Sequence, residues 1–171
     1  MRLSAGRGGQ LRDGVAASTG SWLLLLHGDV RLPPGRRQAV AGAIGGGDGA
    51  AWAFRLAIAG PHPALRLVES LVNLRCRWWG VPYGDQGLLL SRRSYERSGG
   101  ITPLPLMEDL EFALRLRRQL PIRCLDAEIK VNGRRWRRLG IWRTTWINHR
   151  LRQDWFRGVS PAELARRYYD A

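Results

Sequence analysis

Three short stretches carry residue types that could do chemistry together. The first is "LLLLHGDVRLPP", where an apolar run ends in His27-Gly28-Asp29 before Pro33-Pro34. A carboxylate at a strand end can reach a hard divalent cation, which takes oxygen ligands and shares them with substrate phosphates. A turn-capping Asp is the other reading of the same residue. The second is "YGDQGLLLSRR", where Gly84 and Gly87 bracket Asp85 and Gln86 before a second apolar run. Glycines admit close backbone approach, and an acid beside an amide can read hydroxyl groups. A polar turn feeding a strand fits as well. The third is "LPLMEDLEF", with Glu108-Asp109 at the start of a helical pattern. A carboxylate there can act as a general base toward a hydroxyl, or can simply compensate the helix dipole.

A fourth stretch, "NGRRWRRLG", concentrates positive charge around an indole. Arg134 and Arg135 can neutralise a diphosphate, and Trp136 can stack on a sugar or base. A solvated basic loop has the same composition.

The elements that must position these residues are legible in outline. "SWLLLLH" and "QGLLLSR" are short apolar runs between turn signals, the mark of buried strands. "AAWAFRLAI" alternates Trp52, Phe54, Leu56 and Ile58, which places those four on one strand face. "IRCLDAEIKV" reads as one strand or a strand pair. Helical patterns cover "GGQLRDGVAAST", "PGRRQAVAGAI", "PALRLVESLVNLRCRWWG" and "MEDLEFALRLRRQL", with a helical turn at "SYERSG". Two more close the chain, "LGIWRTTWINHRLRQDWF" and "SPAELARRYYD". The latter has Ser160 and Glu163 at capping-box spacing. "IGGGDGA" reads as a loop, too poor in pattern to cradle a phosphate. Strands alternating with helices predict an α/β fold with a mixed sheet, and ligands in such sheets gather at the carboxyl ends of strands.

Composition narrows the partners. The chain has 171 residues and is 44% hydrophobic with 8 Trp, enough for a real core. No apolar run approaches the roughly 18 residues of a membrane span, and no secretory leader is visible, so a cytoplasmic chain is expected. Cys76 and Cys124 are the only cysteines, without metal-ligand spacing, and two free thiols are expected. The net charge of +14 comes almost wholly from Arg, Lys130 being the sole lysine. That favours an anionic partner without choosing among nucleotide, lipid phosphate, membrane surface or nucleic acid.

Order and spacing are more specific than any single motif. "LHGDVRLPP", "PYGDQG", "LPLMED" and "GRRWRRLG" together resemble the family 2 glycosyltransferases with the GT-A fold, in a bacterial subgroup carrying "LHAD", "PYGDQG" and "LPLMED" elements. The resemblance runs from about Gly6 to the C-terminus. It implies a metal-dependent, inverting transfer of a sugar from a nucleotide-sugar donor to a small-molecule or lipid acceptor. The cofactor it implies is a divalent cation, manganese or magnesium. Asp29 would hold the metal, with His27 standing where many relatives have an earlier acid. Asp109 would be the base that deprotonates the acceptor, beside Glu108. Gly84, Asp85 and Gln86 would contact substrate, and Arg135 and Trp136 would face the diphosphate or acceptor.

The same resemblance implies one partial domain over 1–171. Residues 1–34 would be a remnant of the nucleotide-binding half with the metal motif, 35–138 the acceptor half and 139–171 C-terminal helices. The strands that precede the metal motif in relatives, including the one that reads the base, have no counterpart here. An unpaired edge on the "WLLLL" strand and poor nucleotide-sugar binding are therefore expected. A chain with no catalytic activity, or an Arg- and Trp-rich nucleic-acid binder, are the competing readings. A nucleic-acid surface would have no use for Asp29, Asp85, Glu108 and Asp109 near one face. The basic Trp-rich C-terminal helices could also rest on an anionic membrane and meet a lipid acceptor there, or could pack on the core.

Overall fold

A computed structural model of the chain describes residues 6–32 and 34–170. Pro33, the first proline of the turn after Asp29, lies outside them. The chain runs α1 (Arg7–Ala17), β1 (Trp22–Leu25), β2 (Val30–Arg31), α2 (Arg37–Gly45), β3 (Ala51–Ile58) and α3 (Pro63–Trp79). A 3-10 turn over Gly84–Gln86 leads into β4 (Leu88–Ser91), α4 (Arg92–Arg97), α5 (Glu108–Leu116) and β5 (Ile122–Val131). Helices α6 (Arg134–Leu139), α7 (Ile141–Phe156) and α8 (Pro161–Tyr169) complete it.

One mixed sheet of order β1-β4-β3-β5-β2 forms the centre. β4 is antiparallel to both β1 and β3, and β3 is parallel to β5. β1, β3 and β5 therefore point the same way, and their carboxyl ends gather with the start of β4 at one end of the sheet. This is the mixed α/β architecture expected from the sequence. Each β1 side chain has a place to go. Leu23 and Leu25 pack with Val15, Tyr95 and Phe112 on one face of the sheet. Trp22 and Leu24 pack with Val40, Phe54 and Leu89 on the other. A strand buried on both faces must be apolar throughout, which is what "WLLL" is. Among the described residues β1 has one strand neighbour, β4, and stands at the sheet edge.

Three local expectations need correction. The register of β3 on β5 shifts between Ala53 and Arg55. Such an irregularity re-aims the residues beyond it. Trp52 and Phe54 face the α2 cluster, whereas Leu56 and Ile58 pack on Leu65 and Val68 of α3. The four do not share one environment. Second, Val30 and Arg31 form a strand too short to read from periodicity, antiparallel to the end of β5 through Val30–Val131 and Arg31–Lys130. Third, "RRWRRL" is helix α6 rather than a loop, started by Asn132 Oδ1, which accepts from the Arg134 N–H at 3.0 Å. "IRCLDAEIKV" is a single strand.

Strand β2 matters for the site. After β1 the chain passes through His27-Gly28-Asp29 and joins the far edge of the sheet beside β5. The segment is thereby held across the carboxyl ends of the strands. Elsewhere the caps follow the sequence. His62 Nδ1 caps α3, which stops at Gly80 with φ 58°. Ser160 Oγ accepts from Glu163 N–H at 3.3 Å to start α8. Glu163 turns away to Arg166 and Arg167, so only half of the expected box forms. Cys76 and Cys124 are both free thiols. No helix among the described residues is long and apolar enough to cross a membrane.

Phe54 is fully buried at the centre of the sheet. Phe54→Ala should lower unfolding stability by about 3–5 kcal/mol in a denaturant titration. A loss below about 1 kcal/mol would mean that the packing around β3 collapses to fill the space.

Candidate functional site

A cavity of about 410 Å³ opens at the carboxyl end of the sheet. His27, Asp29, Gly84, Asp85, Asp109, Arg135 and Trp136 all line it. Four stretches of chain separated by dozens of residues thus meet at one place.

Gly84 is the meeting point. Its backbone N–H donates to Asp109 Oδ2 at 2.6 Å. Asp109 Oδ1 accepts from the Leu110 N–H of its own helix at 2.8 Å. A methyl group on Gly84 would overlap the His27 imidazole and stand 2.8 Å from Asp109 Oδ2. The glycine is required here by close approach rather than by backbone angle. The residue that leads into α5, Met107, is the one non-glycine with positive φ (66°) among the described residues. This conformation turns the chain sharply enough to bring the first turn of α5 against the Gly84 turn, at a backbone cost for a long side chain.

His27 and Asp29 differ in setting. Asp29 is exposed at the cavity mouth. The His27 side chain is 9% exposed, and its buried Nε2 makes no hydrogen bond within the protein. Burial pulls the His27 pKa below its ordinary value. Arg7 pushes the same way, against Asp109 and Asp29. An unpartnered imidazole nitrogen and an exposed carboxylate on the same cavity are donor types that a divalent cation takes, with substrate oxygens and water as further ligands. No group of three or more His, Cys, Asp or Glu side chains among the described residues is placed to hold a metal by itself.

Glu108 and Asp109 are adjacent in sequence and separate in space. Asp109 lines the cavity; Glu108 does not. Glu108 is completely buried, 3.4 Å from Arg7 Nε and 4.0 Å from His27 Nε2. Burial, with Asp109 next to it, pushes its carboxyl pKa up, and Arg7 offsets only part of that. Successive helical positions point about 100° apart, so one acid faces the cavity and the other faces α1. Glu108, expected beside Asp109 on the substrate, instead lies off the cavity, buried against Arg7.

Gln86, expected to contact substrate, also lies off the cavity. It is fully buried and spends its amide on the backbone. Its Nε2 donates to Phe54 O at 3.1 Å, and its Oε1 accepts from the Tyr83 N–H at 3.0 Å. It shapes the Gly84–Gln86 turn and does not touch the cavity. Asp85 does, with Oδ1 unpaired. Burial and the nearby Asp109 raise its pKa to about 7, against the pull of Arg75.

The basic wall is richer than the sequence indicated. Arg134, Arg135 and Arg138 line the cavity from α6, with Arg7 and Arg152 from distant elements. The Arg135 guanidinium lies 3.9 Å from the Tyr168 ring centre and donates to Tyr168 O at 3.3 Å, leaving Nε unpaired. Trp136 Nε1 is also buried without a partner. Arg7, Arg152 and Tyr168 had no signal in the sequence, because nothing in their spacing announces a contact across the fold. Comparison with protein-family models finds no match, and comparison with curated proteins finds none either.

Asp85 gives a pH signature. Its folded pKa is raised, so its contribution to stability is full below the ordinary pKa near 3.8 and is lost as pH rises to about 7. Asp85→Asn removes that loss. The melting temperature of the variant relative to the parent should climb from pH 4 and level off above pH 7, by several degrees in total. A gap independent of pH would contradict the burial of a charged Asp85.

Proposed function

We propose that this cavity is a glycosyl-transfer site of the GT-A type, moving a sugar from a nucleoside-diphosphate donor to an acceptor hydroxyl. The observation that carries the reading is that His27 and Asp109 meet at Gly84 in a cavity that Asp29 and a wall of arginines also line. Carboxylates of separate role, one exposed at the mouth and one hydrogen-bonded at a helix start, face cations across a space large enough for a substrate.

His27 Nε2 and Asp29 are the residues that would hold a divalent cation. When bound, it supplies a positive charge for a diphosphate. The protein's own groups do the rest. Asp109 is held by Gly84 N–H and Leu110 N–H, and each of its oxygens keeps a lone pair. It takes the proton from the acceptor hydroxyl. The acceptor oxygen forms its bond to the anomeric carbon as the bond from that carbon to the diphosphate oxygen breaks. The electron pair leaves with the diphosphate, and a single displacement inverts the anomeric centre. Arg134, Arg135 and Arg138 face the growing charge, and fixed cations in a part-desolvated cavity are effective there. Burial, with a smaller push from Arg7, holds the His27 pKa below its ordinary value, which suits a ligand nitrogen. Trp136 offers a flat face to a sugar.

The groups that line the cavity opposite the carboxylates are arginines, so the donor is expected to be gripped mainly through its diphosphate. In calorimetry with manganese, pyrophosphate, UDP and GDP should bind within about threefold of one another, a spread of under 1 kcal/mol. Asp29→Ala should abolish the metal-dependent part. A strong preference for one base, or binding indifferent to Asp29, would contradict this account. For transfer, Asp109→Asn should cut the rate by about 10²–10⁴-fold. Metal-dependent pyrophosphate binding should stay unchanged in the same variant. Retained turnover would remove Asp109 from the role of base.

A further inference from the structure

Beside the site lies a second and larger cavity, about 570 Å³, between α3, α5 and α7. Its walls include Leu56, Val68, Leu71, Val72, Val81 and Leu114, with Trp79 and Phe156 at its rim. Leu71, Trp79 and Phe156 are more than half exposed, so the groove is open along one side. It is not walled off from the site. Tyr83, Asp85, Leu110, Trp136, Asn148 and Arg152 line both spaces.

The charged groups of this groove are mostly cationic. Arg75, Arg117 and Arg152 line it against a single carboxylate, Asp85. Arg75 is unusual among them. Its guanidinium lies 3.4 Å from the centre of the Tyr83 ring, and Nε, Nη1 and Nη2 are buried without a hydrogen bond within the protein. Arg152 Nε is unpaired too. A buried guanidinium left with donors unused is costly unless an anion meets it. Asp85 does not fill the role, because no ion pair forms between it and either arginine among the described residues.

We propose that the acceptor is a single-chain anionic amphiphile. Its hydrocarbon chain lies in the groove between α3 and α7. Its anionic group, a phosphate or carboxylate, sits against Arg75 and Arg152, and its hydroxyl end reaches into the neighbouring cavity toward Asp109. Charge complementarity selects the anion, and the apolar walls select the chain. A free phosphate would satisfy the arginines and leave the groove wet. The same helices carry exposed Trp78, Trp142 and Trp146, side chains suited to an amphiphile that arrives from a lipid surface. This assignment rests on the transfer reading for the word acceptor, but the groove and its ligand can be tested without donor, metal or turnover.

The probes are dodecyl phosphate below its micelle concentration, dodecyl maltoside and inorganic phosphate, titrated by calorimetry into the full chain. Dodecyl phosphate should bind at least about thirtyfold tighter than inorganic phosphate, since several methylenes leave water. Arg75→Met should weaken dodecyl phosphate about tenfold, the size of one charge-assisted contact, and leave dodecyl maltoside unchanged. Leu71→Ser, at an exposed position that leaves the fold intact, should weaken both chain-bearing probes and leave inorganic phosphate unchanged. Equal affinity for inorganic and dodecyl phosphate would overturn the proposal. So would dodecyl phosphate binding indifferent to Leu71→Ser. Groove binding together with a failed manganese–pyrophosphate titration would uphold the groove and remove the transfer reading; the reverse pair would remove the groove alone.

Discussion

The backbone N–H of Gly84 donates to Asp109 Oδ2 at 2.6 Å, and the Gly84 α-carbon lies against the His27 ring. These contacts join three elements that the chain delivers separately: the end of β1, the turn into β4 and the first turn of α5. Each element is prepared for the meeting. The 3-10 turn is braced from below by Gln86, whose amide bridges Tyr83 and Phe54 of β3. The helix start is aimed by the left-handed Met107. His27 is seated by the burial of β1 and by the Arg7–Glu108 pair beneath it. Side chains of core and cavity are one system here. Gln86 braces the arrangement from within the core, and Asp109 and Asp29 face the cavity.

That division also explains the electrostatics. The chain carries a net charge of +14, and three of its 14 acids, Asp29, Asp85 and Asp109, line the cavity. Burial raises the pKa of Asp85 and Glu108 and lowers that of His27. The buried groups are pushed toward neutrality, while arginines surround them. A cavity built this way has few fixed negative charges to repel an anion and many positive ones to receive it. The groove behind it has the same bias, with an apolar floor.

The sequence made the skeleton readable because the skeleton follows from patterns. "WLLLL" and "GLLLS" could only be buried strands, and the helices announced themselves through spacing and through Gly80, Pro63 and Ser160 at their ends. The architecture of alternating strands and helices follows. Three features stayed hidden for physical reasons. The Val30–Arg31 strand is defined by its partner, not by its own two residues. The shift between Ala53 and Arg55 is a property of the β3–β5 pairing and leaves no composition signal. "RRWRRL" has no apolar stripe beyond Trp136 and Leu139, so its helix rests on packing of Trp136 in the α3 cluster. At the site, motif reading brought Asp29, Asp85 and Asp109 to one cavity. It named Asp109 as the base and kept Glu108 beside it, but could not show that the two acids face different ways, because neighbouring residues in a motif part company once a helix begins. Nor could it find Arg7, Arg75 or Tyr168, whose roles exist only in three dimensions.

The central proposal is that His27 and Asp29 would hold a cation for a diphosphate beside Asp109. Anomalous scattering from crystals grown with manganese and pyrophosphate tests it directly. The account predicts one manganese peak within bonding distance of Asp29 and of His27 Nε2, with phosphate density between it and the α6 arginines. A peak bound elsewhere on the chain, or phosphate on the arginines with no metal at Asp29, would contradict it.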